Sequence, residues 1–343
     1  MSFRRQIKAF QVHDDGKQTA TSITISDERL HANGVFSNVY SAKLIAPHQM
    51  PIAIKKCWKQ RNSNEGGPLH PIIAEIQMLS QLNHPSVIRL LYHFTLNVDQ
   101  EDVHCMVLDF LPTDLLKLRR ERKRFDDLDA KLYAFQMYCA LDYIHYMGIC
   151  HRDLKPSNLI VDDAKGLLKL ADFGSAKVLN PNEVNPSYQV TRYYRAPELI
   201  FGSTAYTLTI DLWAAACIVS ELFSGKVLLS GRNADNQARL IIDLLGYPSE
   251  EQIKEMKVKR PRYLRKKGRG VESFFTNEGL PKASFDIVSK SLVYEPYLRL
   301  SATRALGHHL FDDLRKTPRL HRRNGNPLPP LDYSIFEQVT QRD

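Results

Sequence analysis

Apolar residues change their spacing about a third of the way along the chain. Up to residue 108 the pattern is that of strands. Val39 to Leu44, Ile52 to Lys55 and Val103 to Leu108 alternate, or run apolar for a few residues, as half-buried and buried strands do. One helix interrupts them. Ile72, Glu75, Leu79 and Leu82 recur at three- and four-residue intervals, which puts all four on one helical face. Asp109 to Thr113 contains Pro112 and reads as a connection. Beyond it the spacing is helical: Leu128, Leu132, Phe135, Cys139 and Ile144 share a face, with Asp126 or Asp127 able to cap the start and Gly148 to stop the end. Residues 210–224 and 236–246 read as further helices. Residues 1–24 are polar and weakly patterned, which predicts a flexible extension. Pro318, Pro327, Pro329 and Pro330 predict an irregular tail over 315–343. The expected architecture is α+β. An N-terminal antiparallel sheet with one helix (25–108) is joined through 109–113 to a larger, mainly helical part (114–314).

Length and composition fit two lobes sharing a cleft. At 343 residues the chain exceeds one ordinary domain, and 43% hydrophobic residues suffice for sizeable cores. Cys57, Cys105, Cys139, Cys150 and Cys217 show neither metal-ligand spacing nor disulfide density, which points to a reducing compartment. The first residues lack a signal-peptide stretch, and residue 2 is not glycine. Leu212 to Phe223 is too short to span a bilayer. The expectation is a cytoplasmic or nuclear protein with no membrane partner.

The formal charge is +9, and nine cations crowd one stretch between Lys254 and Arg269. A solvated loop, a nuclear-localisation patch and a docking site for acidic partners all fit that run. Only Tyr263 interleaves an aromatic ring, so no nucleic-acid partner is expected.

Candidate chemistry lies in two short motifs. His151-Arg152-Asp153-Leu154-Lys155-Pro156-Ser157-Asn158 is followed about twenty residues on by Asp172-Phe173-Gly174. Phosphoryl transfer needs a carboxylate to receive the substrate hydroxyl, and an acid and an amide to hold metal against nucleotide phosphates. Asp153 suits the first task, Asn158 and Asp172 the second. On these motifs the chain is identified as a member of the protein kinases. Ile52-Ala53-Ile54-Lys55 ends on the lysine that in kinases holds the α- and β-phosphates. Glu75 lies on an apolar helix face and should be buried only if paired; Lys55 is the expected partner.

The segment from Ala32 through Gly34 to Val39 occupies the place of the phosphate-covering loop, yet keeps only one of three expected glycines. If Ala32 and Ser37 must adopt left-handed backbone, each costs about 1–2 kcal/mol, a loss of about ten- to thirtyfold.

Over residues 29 to 313 the chain resembles glycogen synthase kinase 3. The stretches that carry the resemblance are Gly148 to Asp153, Asp172 to Lys177, Tyr188 to Gly202 and Leu244 to Ile253. The resemblance implies the two-lobed kinase fold, ATP and Mg²⁺, and protein substrates carrying serine or threonine. It implies that Ala53 and the strand ending at the gatekeeper Leu108 wall the adenine pocket, and that Asp109 and Leu111 offer it backbone groups. Lys155 would steady the transferring phosphate, Asp211 would anchor the catalytic loop, and Glu198 would pair with Arg299. Tyr188 would be phosphorylated by the kinase itself, with Arg192 and Arg195 as partners for that phosphate.

Such kinases prefer substrates already phosphorylated near the target. Arg152 and Lys177 hold two of the three basic positions that receive that phosphate; the third is Ala74. Primed binding should therefore be weaker by about ten- to a hundredfold, since each charged hydrogen bond contributes about 1.5–3 kcal/mol. The basic run at 257–269 replaces an aromatic-rich scaffold-binding surface, which puts the family's scaffold partners in doubt. The competing reading is a catalytically weak, kinase-like scaffold, supported by Ala32, Ser37 and Ala74.

Overall fold

The computed structural model describes residues 4–34, 37–58, 71–180, 183–186, 191–278, 280–316 and 320–331. They fall into two compact units, Met1–Pro112 with Ala171–Gly174, and Thr113–Leu170 with Ser175–Asp343.

In the first unit, β1 (Arg5–Val12), β2 (Gln18–Asn33), β3 (Ser37–Ala46), β4 (Met50–Trp58), β5 (Leu90–Val98) and β6 (Glu101–Asp109) close into an antiparallel barrel, in the order β1-β2-β3-β4-β6-β5. Ile7, Ile23, Ile25, Leu44, Ile52, Ile54, Tyr92 and Phe94 are among the side chains that fill it. The extension expected over 1–24 is therefore overturned for its described residues. Arg5 to Val12 pair with Ile25 to Gln18 on one side, while Phe10 and Gln11 reach His93 and Tyr92 of β5 on the other. The pattern there is faint because Ala9 and a run of threonines and serines take places where larger apolar residues would announce a strand. Threonine still favours one, through its branched Cβ.

The face of the barrel opposite its core matters for chemistry. Strand alternation sends Ile52 and Ile54 inward, and leaves Ala53 and Lys55 outward beside their cross-strand neighbours Leu108 and Val39. Helix α1 (Pro71–Ser80) buries Ile72, Glu75, Ile76 and Leu79, the face that the spacing predicts.

The second unit begins with β7 (Thr113–Asp114), α2 (Leu115–Arg122) and α3 (Asp127–Tyr146), followed by the short strands β8 (Ile149–Cys150), β9 (Leu159–Asp162), β10 (Leu167–Leu170) and β11 (Lys177–Val178). Then come α4 (Pro197–Ile200), α5 (Thr209–Ser224), α6 (Ala234–Leu245), α7 (Glu250–Glu255), α8 (Val271–Glu278), α9 (Lys282–Ser289), α10 (Ala302–Leu306) and α11 (Asp312–Lys316). Asp126 caps α3 by accepting from the Asp129 N–H, and Gly148 lies just past its end at φ 73°. α5 is buried almost throughout and ends on Gly225, where a Cβ would stand 2.2 Å from the Lys123 carbonyl oxygen. Arg299 grips Glu198 with two bonds of 2.7 and 2.6 Å, both side chains out of solvent. None of the described helices is long and apolar enough to cross a membrane.

Residues 320–331 are irregular, as the prolines imply, yet tightly held. The Arg322 side chain is fully buried. Its Nε donates to Asp129 at 2.6 Å, and Nη2 to Tyr133 and Asp163 at 2.9 and 3.0 Å. Arg122 shares both carboxylates from the other side. Removing one partner of a buried ion pair costs about 3–5 kcal/mol. Because Arg122 remains, Arg322→Ala should cost about 3 kcal/mol and lower the melting temperature of a unit this size by about 6–12 °C. Scanning calorimetry would show it. Arg322→Lys should recover only part, since an ammonium cannot serve three acceptors set for a planar fork.

Candidate active site

Three charged groups come together in the first unit. Lys55 Nζ donates to both Glu75 oxygens at 2.7 and 2.9 Å and to Asp172 Oδ1 at 2.9 Å. Burial by itself would lower the Lys55 pKa, but the Glu75 and Asp172 charges outweigh it and hold the ammonium above its ordinary value. Asp172 is half exposed and sits at φ 63°, a left-handed conformation uncommon outside glycine, though less so for aspartate than for most side chains. Leu108 and Leu111 are buried. The N–H of Asp109 donates to the Arg89 carbonyl, so it cannot serve a ligand.

The glycine-poor loop is less strained than expected. Ala32 pairs with Val39 and Asn33 with Asn38 as ordinary strand residues, and neither Ala32 nor Ser37 is among the residues with positive φ. Gly34 is the residue the turn requires, since a Cβ there would meet the Ser37 carbonyl oxygen at 2.8 Å.

Asp153 anchors the chemistry of the second unit. Its Oδ2 accepts from Lys155 Nζ at 2.6 Å and from Asn158 Nδ2 at 3.3 Å; its Oδ1 accepts from the Thr191 N–H and hydroxyl, each at 3.1 Å. Asn158 Nδ2 also holds the Asp153 carbonyl at 2.9 Å, which aims the amide oxygen elsewhere. Beneath the loop, the fully buried Asp211 accepts from the His151 and Arg152 N–H groups at 2.8 and 3.0 Å and from His145 Nε2 at 3.0 Å. Burial would raise the Asp211 pKa, but the hydrogen bond and charge of His145, with the His151 N–H, pull it below the ordinary carboxylate value. Arg152 is held at φ 62° by these contacts.

Residues 28–311 match the protein kinase domain. The chain belongs to the protein kinase family. It is 40% identical over 326 residues to a putative serine/threonine-protein kinase, gskl-1, of Caenorhabditis elegans, covering 95% of this chain and 89% of that one. Protein kinase gsk31 of Schizosaccharomyces pombe is 40% identical over 309 residues, 87% of this chain and 78% of its own. Glycogen synthase kinase 1 of Pyricularia oryzae is 38% identical over 325 residues, 90% and 79% of the two chains. This is therefore a serine/threonine kinase of the glycogen synthase kinase-like group, and its family works with ATP and a divalent metal.

In this kinase both cations expected to receive a priming phosphate are already engaged. Lys177 Nζ is held by the Glu183 carboxylate and, at 3.0 Å, by Asn185 Oδ1. Arg152 Nε donates to the Ser175 carbonyl at 2.6 Å and its Nη1 to Tyr206 at 3.3 Å. Ala74 is exposed on α1 of the first unit. Tyr188 lies outside the described residues. Of its two expected arginine partners, Arg195 is buried, and Arg192 Nη1 donates to the Arg232 carbonyl at 2.8 Å.

Thr191, His145 and Glu183 take part without having been singled out from the sequence. Thr191 stands in a run that carries the family resemblance, so it had a signal; His145, 66 positions from its partner Asp211, had none.

An Asp211→Asn change tests the anchor. The amide can offer one acceptor where the carboxylate has two, so a buried N–H loses its partner at about 1–3 kcal/mol. Turnover should fall about ten- to a hundredfold if that whole cost reaches the transition state, while the KM for ATP stays within about twofold. Steady-state kinetics would check both.

Proposed function

We propose that this kinase is active and moves the γ-phosphate of Mg²⁺-ATP to serine and threonine hydroxyls, with Asp153 receiving the hydroxyl proton. The observation that carries this is the Thr191 hydroxyl on Asp153 Oδ1. An alcohol already donates to the carboxylate that a substrate alcohol would use. Lys155, 2.6 Å from Oδ2, holds the carboxylate in place and adds positive charge for the transferring phosphoryl group. Lys55, held by Glu75, would bind phosphate oxygens.

Asp172 and Asn158 are the candidate metal ligands, and their carboxylate and amide oxygens suit a hard cation such as Mg²⁺. When bound, that ion neutralises charge on the phosphate oxygens. Ala32, Gly34 and Val39 would cover the phosphates, Ala53 and Leu108 would line the adenine, and backbone groups of the Asp109–Leu111 segment would hold it. Asp153→Asn should cut turnover by about a hundred- to ten-thousandfold without moving the melting temperature. If the purified wild type transfers no phosphate, the scaffold reading replaces this one.

Substrate choice and location belong to the same proposal. Glu183 neutralises Lys177 from within the chain, and Lys177 in turn holds the Glu183 pKa below its ordinary value. Together with Ala74 in place of an arginine, this supports weak dependence on priming. Scaffold binding of the family kind is not expected at the basic loop. Self-phosphorylation at Tyr188 remains part of the reading. A cytoplasmic or nuclear location is supported by five buried cysteines, none of them in a disulfide. Glu183→Gln should release Lys177 and raise kcat/KM for a primed peptide about tenfold, the value of one charged hydrogen bond. Its unprimed counterpart should change little. An unchanged primed-to-unprimed ratio would count against the self-neutralised pocket.

A further inference from the structure

The run between α7 and α8 is a firmly built loop. The Tyr247 N–H and hydroxyl hold the Lys266 and Pro261 carbonyls at 3.0 and 2.7 Å, and the N–H groups of Arg269 and Gly270 each donate at 2.9 Å to Asp243 and Leu244. Gly268 lies so close to the end of α6 that a Cβ would come within 2.3 Å of the Gly246 nitrogen.

This fixed loop, with the end of α7, displays unneutralised charge. Arg260 and Arg265 face Glu250, and Lys266 pairs with Asp243. Lys254, Lys257, Lys259, Arg262, Lys267 and Arg269 are exposed and form no ion pair among the described residues. Within the same strip Leu264 is 83% exposed.

From this we infer that the 254–269 strip is a docking surface for an acidic peptide segment of a partner protein, one with an apolar residue to cover Leu264. Charge complementarity selects the sign of the partner. Ring chemistry disfavours nucleic acid: Tyr263 packs with Phe201 and Arg239, and Arg265 lies over Tyr247, so neither ring is bare for base stacking. Exposed Glu250, Glu251 and Glu272 flank the strip, and exposed Glu255 lies within it. A broad anionic surface would meet these carboxylates too, whereas a peptide can follow the cations alone.

The test uses the full chain and a fluorescein-labelled peptide of alternating glutamate and aspartate with two leucines. Anisotropy should show micromolar binding that weakens on raising salt. Lys257→Glu, Lys259→Glu and Arg262→Glu combined should weaken it at least tenfold, and Leu264→Ser about threefold, with phosphorylation of a short neutral peptide unchanged. A peptide with glutamine and asparagine in place of the acids should not bind. The inference is overturned if the acidic peptide fails to bind or ignores the charge reversal. It is equally overturned if single-stranded DNA or phosphatidylserine vesicles bind more tightly than the peptide and lose that binding in the same variant.

Discussion

Everything chemical in the second unit hangs on one buried carboxylate. Asp211 has no access to water, so its charge persists only because three donors converge on it. Two of those donors are consecutive backbone N–H groups. Gripping both forces Arg152 to φ 62°, a conformation that costs a non-glycine residue about 1–3 kcal/mol. The strain turns the chain so that Asp153, Lys155 and Asn158 close into one hydrogen-bonded set. Asp172 stores the same kind of strain in the first unit, where its carboxylate completes the Lys55–Glu75 group. In each unit, backbone that sequence preference alone would reject presents a carboxylate.

The parts of the site legible from sequence are those whose chemistry fixes a short spacing. Asp153, Lys155 and Asn158 lie within six residues, close enough for one loop to bring their side chains together. Glu75 was legible for another reason: a carboxylate on an apolar face has to be paired, and Lys55, at the end of its strand, was the natural partner. His145 escaped notice because nothing local distinguishes a histidine at a helix end. Backbone angles escaped as well. Left-handed strain seemed due at Ala32 and Ser37, yet it is found at Arg152 and Asp172, which no count of glycines would suggest.

The fold shows the same division. Helix α3 was readable down to a choice between two aspartates for its cap, because its buried face repeats over twenty residues. β1 and the start of β2 were not, because threonine, serine and alanine satisfy a barrel without looking apolar. The proline-containing tail was read as irregular, as its described residues 320–331 are, but nothing in that reading said that they are held in place. One arginine, invisible to any periodicity, decides the difference.

Arg322 also sets an order of events. Asp129 and Asp163 enter the ribosomal tunnel nearly two hundred and about one hundred and sixty residues before it. At synthesis rates of about 5–20 residues per second, those acids wait about ten seconds or longer for their second cation. During that interval α3 has only Arg122 to balance two carboxylates, and the unit cannot reach its final packing. Completion of the second unit is thereby tied to translation through residue 322, so a transcript cut short before it would yield a protein with its catalytic sequence intact and its helical core unfinished.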